Sequence, residues 1–154
     1  MRLALYQPDI PQNTGTIMRL AACMNVPVDV IGPAGFDLSD RALKRAALDY
    51  LPYVDLTRHV SWEEFLAKRA STEGAGRLVL LSVRGDHPYT EFRFAPDDTL
   101  LLGRETAGVP DSVRAVVDAS VRVPMRSGLR SLNVAVAAAM VLSEALRQTG
   151  LFPS

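Results

Sequence analysis

Short, almost unbroken apolar runs, each followed by a helical pattern, constrain the fold of this chain more than any other feature. Arg2–Tyr6, Val28–Ile31, Leu78–Val83 and Thr99–Leu102 read as strands without the apolar–polar alternation of a sheet with one wet face. Such strands are buried on both sides, as in a parallel sheet covered by helices. Gln7 to Gln12 ends the first of them, because Pro8 and Pro11 cannot donate to a sheet ladder. A helix is then expected from Asn13 or Thr14, both good N-caps, to about Cys23, with Ile17, Leu20, Ala21 and Met24 on one face. Ser39 can cap a short helix through Ala47, and Val54–Leu56 reads as a further strand. Ser61-Trp62-Glu63-Glu64 is a capping box opening a helix to about Ala70. Pro110, at a first helical position, opens a short helix to Val117. Val121–Val123 is a strand stopped by Pro124, and a long helix runs from about Leu132 to Gln148. The alternation predicts an α/β fold, a mostly parallel sheet with helices on both faces. No repeat or linker interrupts the 154 residues, so a single domain is expected over 1–154.

The last helix is apolar at every position from Val134 to Leu142, with three consecutive alanines. A helix without a polar face is buried all round. One side can lie on the chain's own sheet. The other needs either the chain's own loops or a second subunit, and a homodimer is the expectation. That nine-residue run is the longest apolar stretch and is far short of the roughly 18 residues of a membrane span. The opening Met1–Tyr6 breaks at Gln7-Pro8, too soon for a signal peptide. Cys23 is the single cysteine, which excludes an internal disulfide and a cysteine zinc cage. A cytoplasmic protein with no membrane partner is expected.

Charge narrows the class of partner. Lys+Arg and Asp+Glu are 17 each, so a non-specific nucleic-acid coat is disfavoured while a local basic patch is not. Of the 17 basic residues only Lys44 and Lys68 are lysine. Codon bias accounts for that choice but not for clustering. From Val121 onward Arg122, Arg126, Arg130 and Arg147 face only Glu144, and guanidinium suits bidentate phosphate recognition. Arg126 and Arg130, with Arg41, Lys44 and Arg45, are the candidate phosphate contacts.

Several chemistries lack their residues. Gly103 and Gly108 have P-loop glycine spacing, but Val109 and Pro110 stand where Lys and Ser/Thr would reach the phosphates. There is no Gly-x-Gly-x-x-Gly and no Gly-x-Ser-x-Gly. His59 and His87 each stand alone, so no metal site is expected. Aromatics are 6% and not interleaved with basic residues, unlike a base-stacking RNA module.

What remains is three strand–turn–helix junctions, at Asn13–Arg19, Gly103–Pro110 and Pro124–Asn133. In a parallel sheet all three fall at the carboxyl ends of strands, where open α/β sheets bind ligands. Their glycines allow close backbone approach to a flat heterocycle. Read singly, each polar residue has a plainer role: Asn13 as an N-cap, Arg19 as a solvated helix residue, Glu105 as a turn residue, Ser131 and Asn133 as caps of the last helix.

Together the three segments resemble the motifs of the SPOUT class of S-adenosylmethionine-dependent RNA methyltransferases, in its tRNA/rRNA ribose 2′-O-methyltransferase branch. These are Asn13-x-Gly15-x-x-x-Arg19, Gly103-x-Glu105-x-x-Gly108 and Ser131-Leu132-Asn133-Val134-Ala135. Leu5–Gly15 and Arg45–Tyr50 are similar to the minimal members, which act on cytidine or uridine at wobble nucleotide 34. The chain departs from them at Asn133-Val134-Ala135, where Asn-Leu-Ser is frequent. The resemblance implies a C-terminal trefoil knot, a homodimer, a tRNA substrate and S-adenosylmethionine as cofactor. It implies that Leu81, Gly103, Val123 and Ser131 hold the cofactor, and that Arg19, Asn13, Glu105 and Asn133 serve catalysis. Glu105 would order the pocket or pair with an arginine, and Ser131 and Asn133 would fix the third junction. Rival readings are the same fold acting on another tRNA or rRNA position, a non-catalytic RNA-binding protein that keeps the fold, and a small-molecule enzyme with an adenosine cofactor.

Overall fold

The computed structural model describes residues 1–154 and holds one seven-stranded sheet. In chain order the elements are β1 (Arg2–Tyr6), α1 (Pro11–Met24), β2 (Val28–Ile31), α2 (Arg41–Ala47), a 3-10 helix (Leu48–Tyr53), β3 (Leu56–His59) and α3 (Trp62–Ser71). There follow β4 (Leu78–Leu81), β5 (His87–Pro88), β6 (Thr99–Leu102), α4 (Asp111–Arg114), β7 (Ala119–Arg122) and α5 (Val134–Thr149). The strand order is β3-β2-β1-β6-β4-β7-β5, and every neighbouring pair is parallel.

The period-2 geometry of the strands divides the core in two. Leu3, Leu5, Val28, Val30, Val79, Leu100, Leu102 and Val121 face α1, α2 and α5. Ala4, Tyr6, Ile31, Leu78, Leu80 and Leu101 face Phe65 of α3 and Val113 of α4. Helices therefore cover both faces, which is why the strands are apolar throughout. One charged residue enters the second face. Asp29 of β2 is buried and accepts from Arg2 Nε at 2.9 Å, with His59 Nε2 at 2.8 Å.

Local boundaries depart from the sequence expectations for identifiable reasons. α1 begins at Pro11, not Asn13: proline needs no N–H partner at the first helical position, and Ile10 precedes it without a side-chain cap. Asp40, not Ser39, caps α2 by accepting from the Ala42 and Leu43 amides. The third strand is Leu56–His59 rather than Val54–Leu56, in register with β2. β4 stops at Leu81, because Ser82 and Val83 already form a turn in which the Ser82 hydroxyl accepts from the Arg84 amide. Pro110 is the cap of α4, which ends at Arg114. β7 spans Ala119–Arg122 instead of Val121–Val123, and Asn133 caps α5 through the Ala135 and Val136 amides. Half of the expected capping box forms: Ser61 Oγ accepts from the Glu64 amide at 3.1 Å, while the Glu64 carboxylate accepts from the Val60 amide instead of the Ser61 amide. β5 had no sequence signature; it is two residues long, and Pro88 is tolerated because the strand is at an edge.

Within one chain α5 is covered on one side only. Ala135, Ala138, Val141, Leu142, Ala145 and Leu146 are buried, but Val136 is 50% and Met140 37% exposed. The sheet covers one face of a helix, and the chain's own loops do not reach the other. No helix is long and apolar enough to cross a membrane.

Candidate active site

The three junctions meet in one cleft of about 560 Å³ at the carboxyl ends of β4, β6 and β7. Asn13 enters from α1, Leu81 from the end of β4, and Gly103 and Glu105 from the turn after β6. Val123, Arg130, Ser131 and Asn133 enter from the segment after β7. All four expected cofactor residues and three of the four expected catalytic ones therefore line one space.

Long-range hydrogen bonds set its shape. Asn133 Nδ2 donates to Asn13 Oδ1 at 2.8 Å, tying the start of α5 to α1 across 120 residues of chain. The same Asn133 uses Oδ1 to cap α5. Asn13 is thus no helix cap, and Asn133 does two jobs with its two amide atoms. Ser131 lines the cleft but is exposed. The turn after β6 is a closed bulb: Arg104 and Gly108 exchange backbone bonds of 3.0 and 2.9 Å. A Cβ on Gly103 would stand 2.8 Å from the carbonyl carbon of Gly108, so only glycine fits there.

Glu105 pairs with no arginine. Its Oε2 accepts from the Asp9 amide at 3.1 Å, while Asp9 Oδ1 accepts from the Glu105 amide at 3.2 Å and Asp9 Oδ2 accepts from the Thr106 hydroxyl. Two carboxyl groups thereby clamp the segment after β1 to the bulb. Burial pushes the Glu105 carboxyl above its ordinary value, with the neighbouring Asp9 adding to the rise. Asp9 is held below its ordinary value, first by its hydrogen bond with Glu105.

The two carboxyls act oppositely on stability. Raised Glu105 contributes stability that is present below its unfolded value of 4.5 and lost as pH rises through its folded value. Lowered Asp9 contributes stability present above 3.8 and lost as pH falls through its folded value. Glu105→Gln removes the first contribution. Its Tm relative to the unaltered chain should therefore climb as pH rises from 4.5 and level off once Glu105 has ionised; a Tm difference constant across pH would contradict the assignment.

The lining suits a nucleoside-bearing sulfonium. Leu81, Val109, Val123, Leu132 and Val134 offer apolar walls for an adenine, and the bulb exposes backbone at Gly103. Arg114 donates Nη2 to Ser82 at 2.8 Å but leaves its buried Nε without a partner, an unused donor beside the cleft. No three His, Cys, Asp or Glu side chains stand together as metal ligands.

Comparison with known proteins settles the kinship. Residues 1–143 match the model of the SpoU rRNA Methylase family. The chain belongs to that family. It is 60% identical over 148 residues to a protein of Beijerinckia indica named tRNA (cytidine(34)-2′-O)-methyltransferase, covering 96% of this chain and 91% of that one. A solved structure concerned with 2-OH methylation of C/U34 on tRNA superposes with a TM-score of 0.88 at 46% identity, covering 96% and 94% of the two chains. The SpoU methyltransferase AviRb of Streptomyces viridochromogenes, solved with AdoMet, superposes at 0.86 with 32% identity, over 96% of this chain and 60% of that one. The α/β SPOUT fold expected from the motifs is the one found.

In this SpoU-family chain five of the expected residues lie away from the cleft lining. Arg19 is exposed on α1, with its guanidinium carbon 5.2 Å from the Tyr50 ring centroid. Arg41, Lys44 and Arg45 are exposed on α2, and Arg126 is exposed on the segment leading to Arg130. Conversely, Asp9 and Arg114 belong to the site and were not foreseen. Asp9 reads in sequence as part of a proline-rich strand end, and Arg114 as one more basic residue on a short helix.

Proposed function

We propose that the chain transfers a methyl group from S-adenosylmethionine to the ribose 2′-hydroxyl of cytidine or uridine at tRNA wobble nucleotide 34. The observation that carries this is the convergence of three separate turns on one cleft, in a chain 60% identical to an enzyme of that name.

The cofactor, when bound, supplies an electrophilic methyl on a positively charged sulfur. Leu81, Gly103, Val123 and Ser131 hold it. The chain's main work is to orient the ribose oxygen in line with that methyl. Asn13 and Asn133 fix the cleft's two rims to each other, and Glu105 braces the bulb. Arg19 binds the phosphate beside the target ribose and stabilises the oxygen as it loses its proton. A guanidinium stays protonated, so the proton passes to phosphate or water and not to Arg19.

Arg19 lies off the cleft of its own chain, and α5 leaves Val136 and Met140 open beside Leu132 at the cleft wall. Both features are met by a homodimer in which a second copy covers that strip and brings its own Arg19 to the ribose. The knot implied by the motifs is supported by β7, which runs between β4 and β5. Gly85 passes so close to the Val121 backbone that a Cβ would come within 2.2 Å. The protein works in the cytoplasm, where its tRNA substrate is found.

Arg126, Arg130, Arg41, Lys44 and Arg45 neutralise RNA phosphates. An Arg126→Ala, Arg130→Ala double variant should lower the slope of log binding constant against log salt by about 1.4, two contacts at roughly 0.7 each for single-stranded RNA. An unchanged slope removes these two residues from the interface.

Reconstitution tests the activity. Purified protein and labelled cofactor should label one nucleoside of a substrate tRNA, and a 2′-deoxy substitution at nucleotide 34 should abolish it. Label at another nucleotide would favour the same chemistry at a different site.

A further inference from the structure

Arg19 is held in an uncommon way. It is the only charged residue of α1, and none of the four ion pairs of the chain includes it. Its guanidinium carbon lies over the Tyr50 ring, 5.2 Å from the centroid. That is the range in which a cation is attracted to an aromatic face. Tyr50 is half-buried.

Three features of the backbone place that ring. Gly15, four residues before Arg19, lets α2 rest directly on α1: a Cβ there would stand 2.3 Å from the Leu43 carbonyl oxygen and 2.8 Å from Ala46 Cβ. α2 then ends at Leu48, whose φ of 54° and ψ of −135° belong to a region where glycine is at home. Strain of this kind persists only where surrounding structure enforces it, and it clusters at functional sites. Leu48 turns the chain into the 3-10 helix that carries Tyr50 back over α1.

We propose that Tyr50 is a positioning residue for Arg19. It restrains the guanidinium by its face alone, so that all five N–H donors and the full charge remain available to the RNA. A carboxylate partner would fix the side chain equally well but would occupy its donors and cancel its charge. An aromatic face does neither. This rests on the reading of Arg19 as the group that meets the phosphate and the ribose oxygen.

The test compares Tyr50→Phe, Tyr50→Leu and Arg19→Ala in the full chain. Tyr50→Phe keeps the face and should hold kcat within about twofold. Tyr50→Leu should lower kcat about tenfold at saturating tRNA while the Kd for S-adenosylhomocysteine is unchanged, and Tyr50→Trp should restore it. In an Arg19→Gln background, which leaves the ring no cation to hold, Tyr50→Leu should lower the residual turnover no further. In nitrogen-15 spectra the Arg19 Nε resonance should move in Tyr50→Leu and stay in Tyr50→Phe. Wild-type kcat and an unmoved resonance in Tyr50→Leu, with Arg19→Ala inactive, would overturn the positioning role and leave Arg19 in place. An equal tenfold loss in both backgrounds would make Tyr50 merely structural and would also overturn it. Normal turnover in Arg19→Ala would instead overturn the reading of Arg19 itself.

Discussion

Arg19→Lys lowers kcat by about two orders of magnitude and leaves the affinity for S-adenosylhomocysteine within about twofold. The size follows from removal of one preorganised donor at a developing oxyanion, which lowers turnover about 10²–10³-fold elsewhere. Lysine keeps the charge and loses the planar fork, so the variant separates electrostatic attraction from bidentate geometry. Affinity for the product is spared because Arg19 is assigned to the phosphate and the ribose oxygen, while Leu81, Gly103, Val123 and Ser131 line the cofactor's cleft. Stability is spared because Arg19 is exposed and enters no ion pair. Steady-state kinetics on tRNA with calorimetry of the product complex checks both halves. Near-normal turnover would take Arg19 out of the mechanism.

Gly103→Ala has the second large effect, and on the opposite quantity. The added Cβ meets the Gly108 backbone at 2.8 and 2.9 Å, and neither atom is the movable end of a side chain. The bulb must open, breaking the paired 3.0 and 2.9 Å bonds between Arg104 and Gly108 and shifting the Glu105–Asp9 clamp. Overpacking of this kind costs about 1–3 kcal/mol. Taken out of cofactor binding, that corresponds to a roughly five- to 150-fold rise in Kd, at 1.4 kcal/mol per decade. Gly74→Ala is the control: its φ is +75°, but nothing lies within 4 Å, so it should lower Tm slightly and leave cofactor binding alone. Equal cofactor affinity in Gly103→Ala and the parent chain would mean that the bulb does not shape the binding site.

The parts of this molecule that local physics controls were legible in its residues. Arg2–Tyr6 and Val28–Ile31 form the strands expected of them because an apolar run of that length has few other uses in a chain with a buried sheet. Ser61 caps α3 because a hydroxyl three residues ahead of an amide suffices. The three glycine-bearing junctions meet because parallel strands deliver their carboxyl ends to one side. What stayed hidden is non-local. Nothing near Asn13 indicates that its oxygen serves Asn133 rather than a helix terminus. Nothing near Glu105 indicates that it faces the Asp9 amide and carboxyl instead of an arginine. The two-residue β5 exists because β7 already lies beside it, not because His87-Pro88 favours a strand. Arg19 was identifiable by motif, but its place outside the cleft depends on how α1 is oriented, which periodicity does not encode.

The most direct measurement is mass spectrometry of nucleosides, position by position, in tRNA from cells with and without this protein. The predicted result is loss of one 2′-O-methyl group, at nucleotide 34, restored by the parent chain and not by Arg19→Ala. An intact methyl group at nucleotide 34 in the cells lacking the protein would contradict it.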